Sequence, residues 1–259
     1  MSRVIRMLVA ATAVGGLALS GLMTAGAASA TNTVPGAHGG GSRYASPGGG
    51  SHAVGLATAP ANSRDFAGYA AAVPAGSATV MTASFTVPTL SCTTADRAIT
   101  PSTAVYHGNS VSAAFVFTGC VNGTAVYYPG LVVNGTETDF TTSPFAAGDV
   151  VDVTTKVSTN RTRVQVTDVT TGVTQKIIGA GARAQVVLIS DNSWTTSTGR
   201  WHVPDFGKLT FKNCLIDGKA LASWHPDAYQ RVNSVGTVQI QTGGMWPTGT
   251  AFTTHFMHS

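Results

Sequence analysis

Glu137 and Asp139 are the residues whose types and spacing come nearest to a chemical pair. Glu137 is the single glutamate in the chain, and Asp139 follows two positions later. On a strand, residues i and i+2 share a face, so the two carboxyls would stand side by side. Two carboxyls flanking a bond can divide the roles of acid and of base or nucleophile, as in glycoside hydrolysis. The pair also follows Asn134-Gly135, a hairpin-turn signal, so a solvated rim accounts for it equally well. The seven histidines are scattered. His255 and His258 lie three apart near the C-terminus, and His202 and His225 flank apolar loops, with no helix to gather them. No metal site and no cofactor are expected. Trp194, Trp201, Trp224 and Trp246 fall in the C-terminal third, where they either cover a core edge or grip a ligand.

Several chemistries are excluded by inventory. The chain has no Gly-x-Ser-x-Gly elbow, no His-Glu-x-x-His, no Asp-Thr-Gly or Asp-Ser-Gly, and no glycine-rich phosphate loop leading into a helix. Of the three cysteines, Cys92 is expected to pair with Cys120, which leaves Cys214, beside Leu215 and Ile216, as a buried free thiol.

The elements that would position these residues read as strands. Residues 83–87 alternate and stop at Pro88, and residues 150–157 alternate again. Residues 162–169 and 173–178 form the clearest hairpin, with Val164 and Val166 on one face and Arg163, Gln165 and Thr167 on the other. Residues 209–211, 235–241 and 252–256 continue the pattern, and one short helical turn is expected near residues 226–229. Many short strands at this spacing mean an all-β sandwich or barrel.

Residues 1–30 read as a signal peptide: Arg3 and Arg6, an apolar run, then Ala28-Ser29-Ala30. Residues 31–62 form a Gly/Ser/Pro-rich disordered leader or linker, and residues 63–259 the β domain. The expected location is therefore extracellular, with no stable membrane insertion after cleavage. Without Arg3 and Arg6 the chain keeps 13 Lys and Arg against 11 Asp and Glu. No basic cluster stands out, which argues against a nucleic-acid partner. A monomer is expected.

In order along the chain, several segments resemble the glutamic peptidases (eqolisins). Asp65-Phe66-Ala67-Gly68-Tyr69 is similar to the family's Asn-Trp-x-Gly-Tyr opening, and residues 83–88, Ala-Ser-Phe-Thr-Val-Pro, look like its first strand. Pro204-Asp205-Phe206-Gly207 begins the most specific match, residues 145–149 resemble a Pro-Gly-Asp turn, and residues 249–253 match the closing strand. The resemblance implies an antiparallel, lectin-like sandwich of two large sheets and an acid endopeptidase ancestry. It also implies a Gln and a Glu as catalytic residues. On this register Phe117 stands for the Gln and Gln185 for the Glu, and the family's aromatic strand reads Tyr127 to Gly135.

A primary amide is no general base, and a phenyl ring donates nothing to an oxyanion. Each lost role costs about 10²–10⁴ in rate. The expectation is a catalytically inert sandwich whose groove, lined by Phe66, Tyr106, Phe117, Tyr128 and Gln185, takes extended peptide or polysaccharide. The alternatives are a hydrolase that uses Glu137 with Asp139, and a structural cell-envelope protein.

Overall fold

The computed structural model describes residues 59–258 except 77, 94, 109, 143–144, 194 and 197–198. The expected signal peptide, nearly all of the leader, and Trp194 lie outside the described residues.

The strands in chain order are β1 (Ala61–Ser63), β2 (Phe66–Ala72), β3 (Thr79–Thr86), β4 (Arg97–His107), β5 (Ser110–Val121) and β6 (Thr124–Val133). They continue with β7 (Thr136–Asp139), β8 (Val150–Val157), β9 (Arg161–Asp168), β10 (Thr174–Ala180), β11 (Val186–Ser193), β12 (Thr195–Thr196) and β13 (Gly199–Arg200). The last are β14 (Lys208–Ile216), β15 (Lys219–Ala220), β16 (Asp227–Val232), β17 (Val238–Thr242) and β18 (Phe252–Phe256). A 3₁₀ turn spans Leu221–Trp224.

The main path runs β10-β9-β8-β3-β14-β18-β17-β16-β2-β11-β4-β5-β6-β7, with β1 added in parallel to β16. It folds back on itself at β14. Residues 208–211 of that strand pair with β18, residues 212–216 pair with β3, and the register shifts between Lys212 and Leu215. A bulge lets one strand serve two sheets; Asn213, at φ 51°, supplies the left-handed residue. The result is two facing layers, joined in the middle by a buried contact between Thr103 and Thr155 hydroxyls at 3.0 Å.

Alternation explains which residues fill the space between the layers. On β8 and β9 every second residue is buried, including Val151, Val153, Val164 and Val166. Phe211 stacks on Phe252 with centroids 4.9 Å apart, and Tyr69 meets Phe252 edge-on at 4.9 Å. Each such ring, fully buried, contributes about 1.5–3 kcal/mol. Gly68 follows from the same packing: its φ is +148°, and a Cβ there would fall 2.2 Å from the Ile189 carbonyl oxygen. The close pairing of β2 with β11 therefore requires glycine.

Cys92 and Cys120 are bonded, with Cα atoms 5.5 Å apart, and Cys214 is a buried free thiol. Burial pushes the Cys214 thiol up to about 12.

One expectation is corrected. Residues 227–229 begin strand β16, because Asp227, Ala228 and Tyr229 pair with Ala70, Tyr69 and Gly68. The helical turn lies earlier, at Leu221–Trp224. The first described strand, β1, begins at Ala61, which pairs with Tyr229.

Candidate functional site

The face of β2, β11, β4, β5 and β6 that turns away from the core carries a second cluster, which includes Phe66, Ala104, Phe115, Phe117 and Leu188. β5 shows why. Ala114, Val116 and Cys120 point into the core, while Val111, Ala113, Phe115 and Phe117 point out.

Cross-strand register lays this outer face out in rows. One row runs Tyr229, Gly68, Ser190, Ser102, Phe115, Gly130, Asp139. Its neighbour runs Asp227, Ala70, Leu188, Ala104, Ala113, Val132, Glu137. On the other side Phe66 pairs with Asn192 and Asn192 with Thr100, and Phe117 pairs with Tyr128. A shallow depression opens between Ser102, Asn192, Tyr106 and Phe115. Gly130 is needed here for space, because a Cβ would lie 2.1 Å from the Phe115 ring that covers it.

Of the residues expected in the groove, Phe66, Tyr106, Phe117 and Tyr128 are brought together on this face. Phe117 stacks on Tyr128 with centroids 4.6 Å apart and rings 7° from parallel, and Trp201 meets Phe117 edge-on at 6.2 Å. Gln185 does not join them. It precedes β11, is exposed, and its Oε1 accepts the Gly108 N–H at 2.9 Å. The strand residue that reaches the outer face at this end is Val186, one position later, because strand side chains alternate.

No described residue on the outer face of β2, β11, β4, β5 or β6 is a carboxylate. The one acid on these strands, Asp191 of β11, points into the core and is fully buried. Burial raises it to about 7, against the donated Thr254 hydroxyl and the positive charge of Arg231.

Glu137 and Asp139 stand at the margin, on edge strand β7, in the same rows as Ala113 and Phe115. Rather than a fully solvated rim, the structure leaves both residues half-buried, with most of their carboxyl oxygens turned from water. Both Glu137 oxygens and Asp139 Oδ1 are shielded from solvent and accept no hydrogen bond from any described group outside the pair. Desolvation, then the Asp139 charge and a hydrogen bond with Asp139, lift Glu137 to about 9; desolvation also raises Asp139, opposed by that same bond. The hydrogen bond the pair can form is one carried by a shared proton, since two like charges this close disfavour double ionisation. Tyr128 lies beside them. Burial, and then the Asp139 and Glu137 charges, hold its hydroxyl well above the usual tyrosine range.

The hairpin carrying the pair is locally determined. Asn134 at φ 52° and Gly135 at φ 83° make a two-residue turn of the type that matches strand twist. Ser112 Oγ accepts the Asn134 N–H at 3.1 Å, His107 Nε2 lies 3.1 Å from the same oxygen, and Asn134 Nδ2 donates to the Ala180 carbonyl at 3.1 Å. Burial lowers His107, which favours its neutral form.

His202, His225, His255 and His258 are not gathered. Among the described residues no group of three or more metal-ligating side chains comes together. Trp224 packs at the core edge, Trp246 is exposed, and Trp201 alone of the described tryptophans joins the groove cluster. Missed by sequence reasoning were Ser102, Ser190 and Asn192. Asn192 Nδ2 donates to Ser102 Oγ at 2.6 Å and to the Thr100 carbonyl at 3.2 Å, and its Oδ1 accepts from Ser190 at 3.0 Å. The signal was their spacing: Ser190 and Asn192 are i, i+2, as are Thr100 and Ser102, so each pair shares a face.

No protein-family model matches the chain, and no curated protein matches it. Solved structures do. Scytalido-glutamic peptidase bound to a transition-state analog inhibitor superposes with a TM-score of 0.58 at 12% identity, covering 75% of this chain and 98% of that one. SCP-B, a member of the eqolisin family in complex with the tripeptide Ala-Ile-His, gives 0.54 at 13%, covering 75% and 98%. Aspergilloglutamic peptidase from Aspergillus niger gives 0.52 at 15%, covering 62% and 99%. At these identities the likeness establishes the fold. The chain is an all-β sandwich that resembles the eqolisin glutamic peptidases.

Proposed function

We propose that this is an exported groove-binding protein of the glutamic-peptidase fold that does not run the family's peptidase reaction. The observation that carries this reading is the carboxylate-free outer face of β2, β11, β4, β5 and β6. Water attack on an amide needs a base within reach of the water and a donor aimed at the oxyanion. Val186 and Phe117 supply neither. What remains is an aromatic and hydroxyl-lined face suited to an extended neutral ligand. Export accords with the N-terminal segment and with the Cys92–Cys120 disulfide, a bond that persists in oxidising surroundings. Denatured casein incubated with the purified protein from about pH 2 to 7 should survive intact. Cleavage that disappears in a Phe117 or Gln185 variant would overturn the reading.

A second reading rests on a separate observation, the half-buried Glu137–Asp139 pair, whose shielded oxygens meet no donor from outside it. One protonated and one ionised carboxyl can act as acid and base. This reading makes the protein a hydrolase working at the groove margin beside Tyr128. Its test is turnover on peptide and polysaccharide panels; activity that survives Glu137→Gln unchanged removes the pair from consideration.

A further inference from the structure

Resting on the groove-binding reading, we infer that the ligand is a neutral oligosaccharide, held over Ser102 and Asn192, with Ser190 buried beneath them, between Tyr229 at one side and Trp201 with Tyr128 at the other. Three features of the face lead to this class. The first is the floor's chemistry. Ser190 donates to Asn192 and Asn192 donates to Ser102, so the hydroxyls and the amide are held in a fixed relay. Ser102 accepts in that relay, which turns its own hydroxyl hydrogen away from Asn192, and both residues line the depression although Ser102 is itself largely buried. Sugar hydroxyls, each donor and acceptor at once, complement such groups.

The second feature is the aromatic flanks. Tyr229 packs on Phe66 with centroids 4.9 Å apart, and Tyr128 stacks on Phe117 with Trp201 edge-on to the same ring. Tyr229, Tyr128 and Trp201 are half-buried, so amphipathic rings border the floor, and the C–H faces of a sugar pack against such rings. From β16 to β6 is five strand spacings, about 24 Å, which suits an oligomer rather than a single sugar.

The third feature is what the face withholds. An extended peptide gains affinity by pairing its backbone with an open strand edge, yet β2, β11, β4 and β5 are each paired on both sides. The margins are acidic, with Asp227 on β16 and the Glu137–Asp139 pair on β7, which disfavours a polyanion.

The Trp201 flank is held from beneath. Arg231, itself buried, donates from Nη2 to the Trp201 carbonyl at 3.3 Å, and Ala98 N–H donates to the His202 carbonyl at 3.0 Å. The backbone that carries the ring is therefore anchored to the core.

Isothermal titration of the purified protein with cellohexaose, chitohexaose and maltohexaose, with polygalacturonate and a casein digest as comparators, tests the inference. At least one neutral oligosaccharide should bind and polygalacturonate should not. Trp201→Ala should weaken binding roughly tenfold, and Ser102→Ala, which removes one hydroxyl and is checked for retained fold by circular dichroism, about three- to tenfold. Sugar binding unchanged in both variants would overturn the site. Binding of casein peptides without any sugar would overturn the ligand class while leaving the groove reading standing. Binding of neither overturns both.

Discussion

Glu137 and Asp139 project side by side from edge strand β7, and the carboxyl oxygens of Glu137 accept no hydrogen bond from any described residue outside the pair. Burial of this kind favours the protonated form, so the pair links folding to pH. Glu137 is raised from 4.5 to about 9. Its contribution to stability is full below the unfolded pKa and is lost as pH rises through the folded one. The protein should therefore be more stable in mild acid than in mild base. Melting temperature followed from pH 4.5 to 9 should fall, and Glu137→Gln, which cannot ionise, should flatten the slope. A wild-type profile that rises over this range contradicts the assignment.

The disulfide spans a sequence separation of 28 residues and ties the segment after β3 to the end of β5. In the chain-entropy model a loop of this length stabilises by about 3–4 kcal/mol. Cys92→Ser with Cys120→Ser should lower the free energy of unfolding in urea by roughly that amount, with the fold retained by far-ultraviolet circular dichroism.

Gly130→Ala should destabilise the groove face. The added methyl would sit 2.1 Å from the Phe115 ring, forcing that ring off its position at a cost of about 1–3 kcal/mol. The loss is read as a lower urea midpoint, and Gly130→Ala combined with Phe115→Leu should recover part of it.

Asp191 accepts the Thr254 hydroxyl and lies within the field of buried Arg231. Asp191→Ala removes both relationships and leaves a buried guanidinium without that counter-charge. The expected cost is about 3–5 kcal/mol, measurable by chemical denaturation. A change smaller than 1 kcal/mol, on the order of an ordinary surface substitution, would show that Arg231 draws its compensation elsewhere.

How far the sequence reveals the fold depends on whether the signal is local. Val164 and Val166 alternate with Arg163 and Gln165 because one face of β9 is buried and the other wet, and period two is written in the chain. Asn134-Gly135 announces its hairpin for the same reason: left-handed backbone selects those residue types. At Asp227 to Tyr229 local signals mislead, since a short polar run beside Pro226 reads as a turn until β2 offers its edge. Gln185 misleads differently. An alignment counts positions, whereas the groove admits only side chains of one parity, and Val186 has it.

By itself the sequence determined a strand-built, all-β sandwich or barrel, the expectation that Cys92 pairs with Cys120, and the shared face of Glu137 and Asp139, since each rests on spacing between near neighbours or on a short inventory; the choice of sandwich came from the family resemblance. The tertiary structure alone decided that this acid pair is half-buried at the groove margin, that Asp191 turns inward to Thr254 and Arg231, and that Ser102, Ser190 and Asn192 are hydrogen-bonded together. Those outcomes depend on which strand lies beside which and on what water can reach. Both are properties of chain segments that lie up to about a hundred residues apart in sequence and come together only on folding.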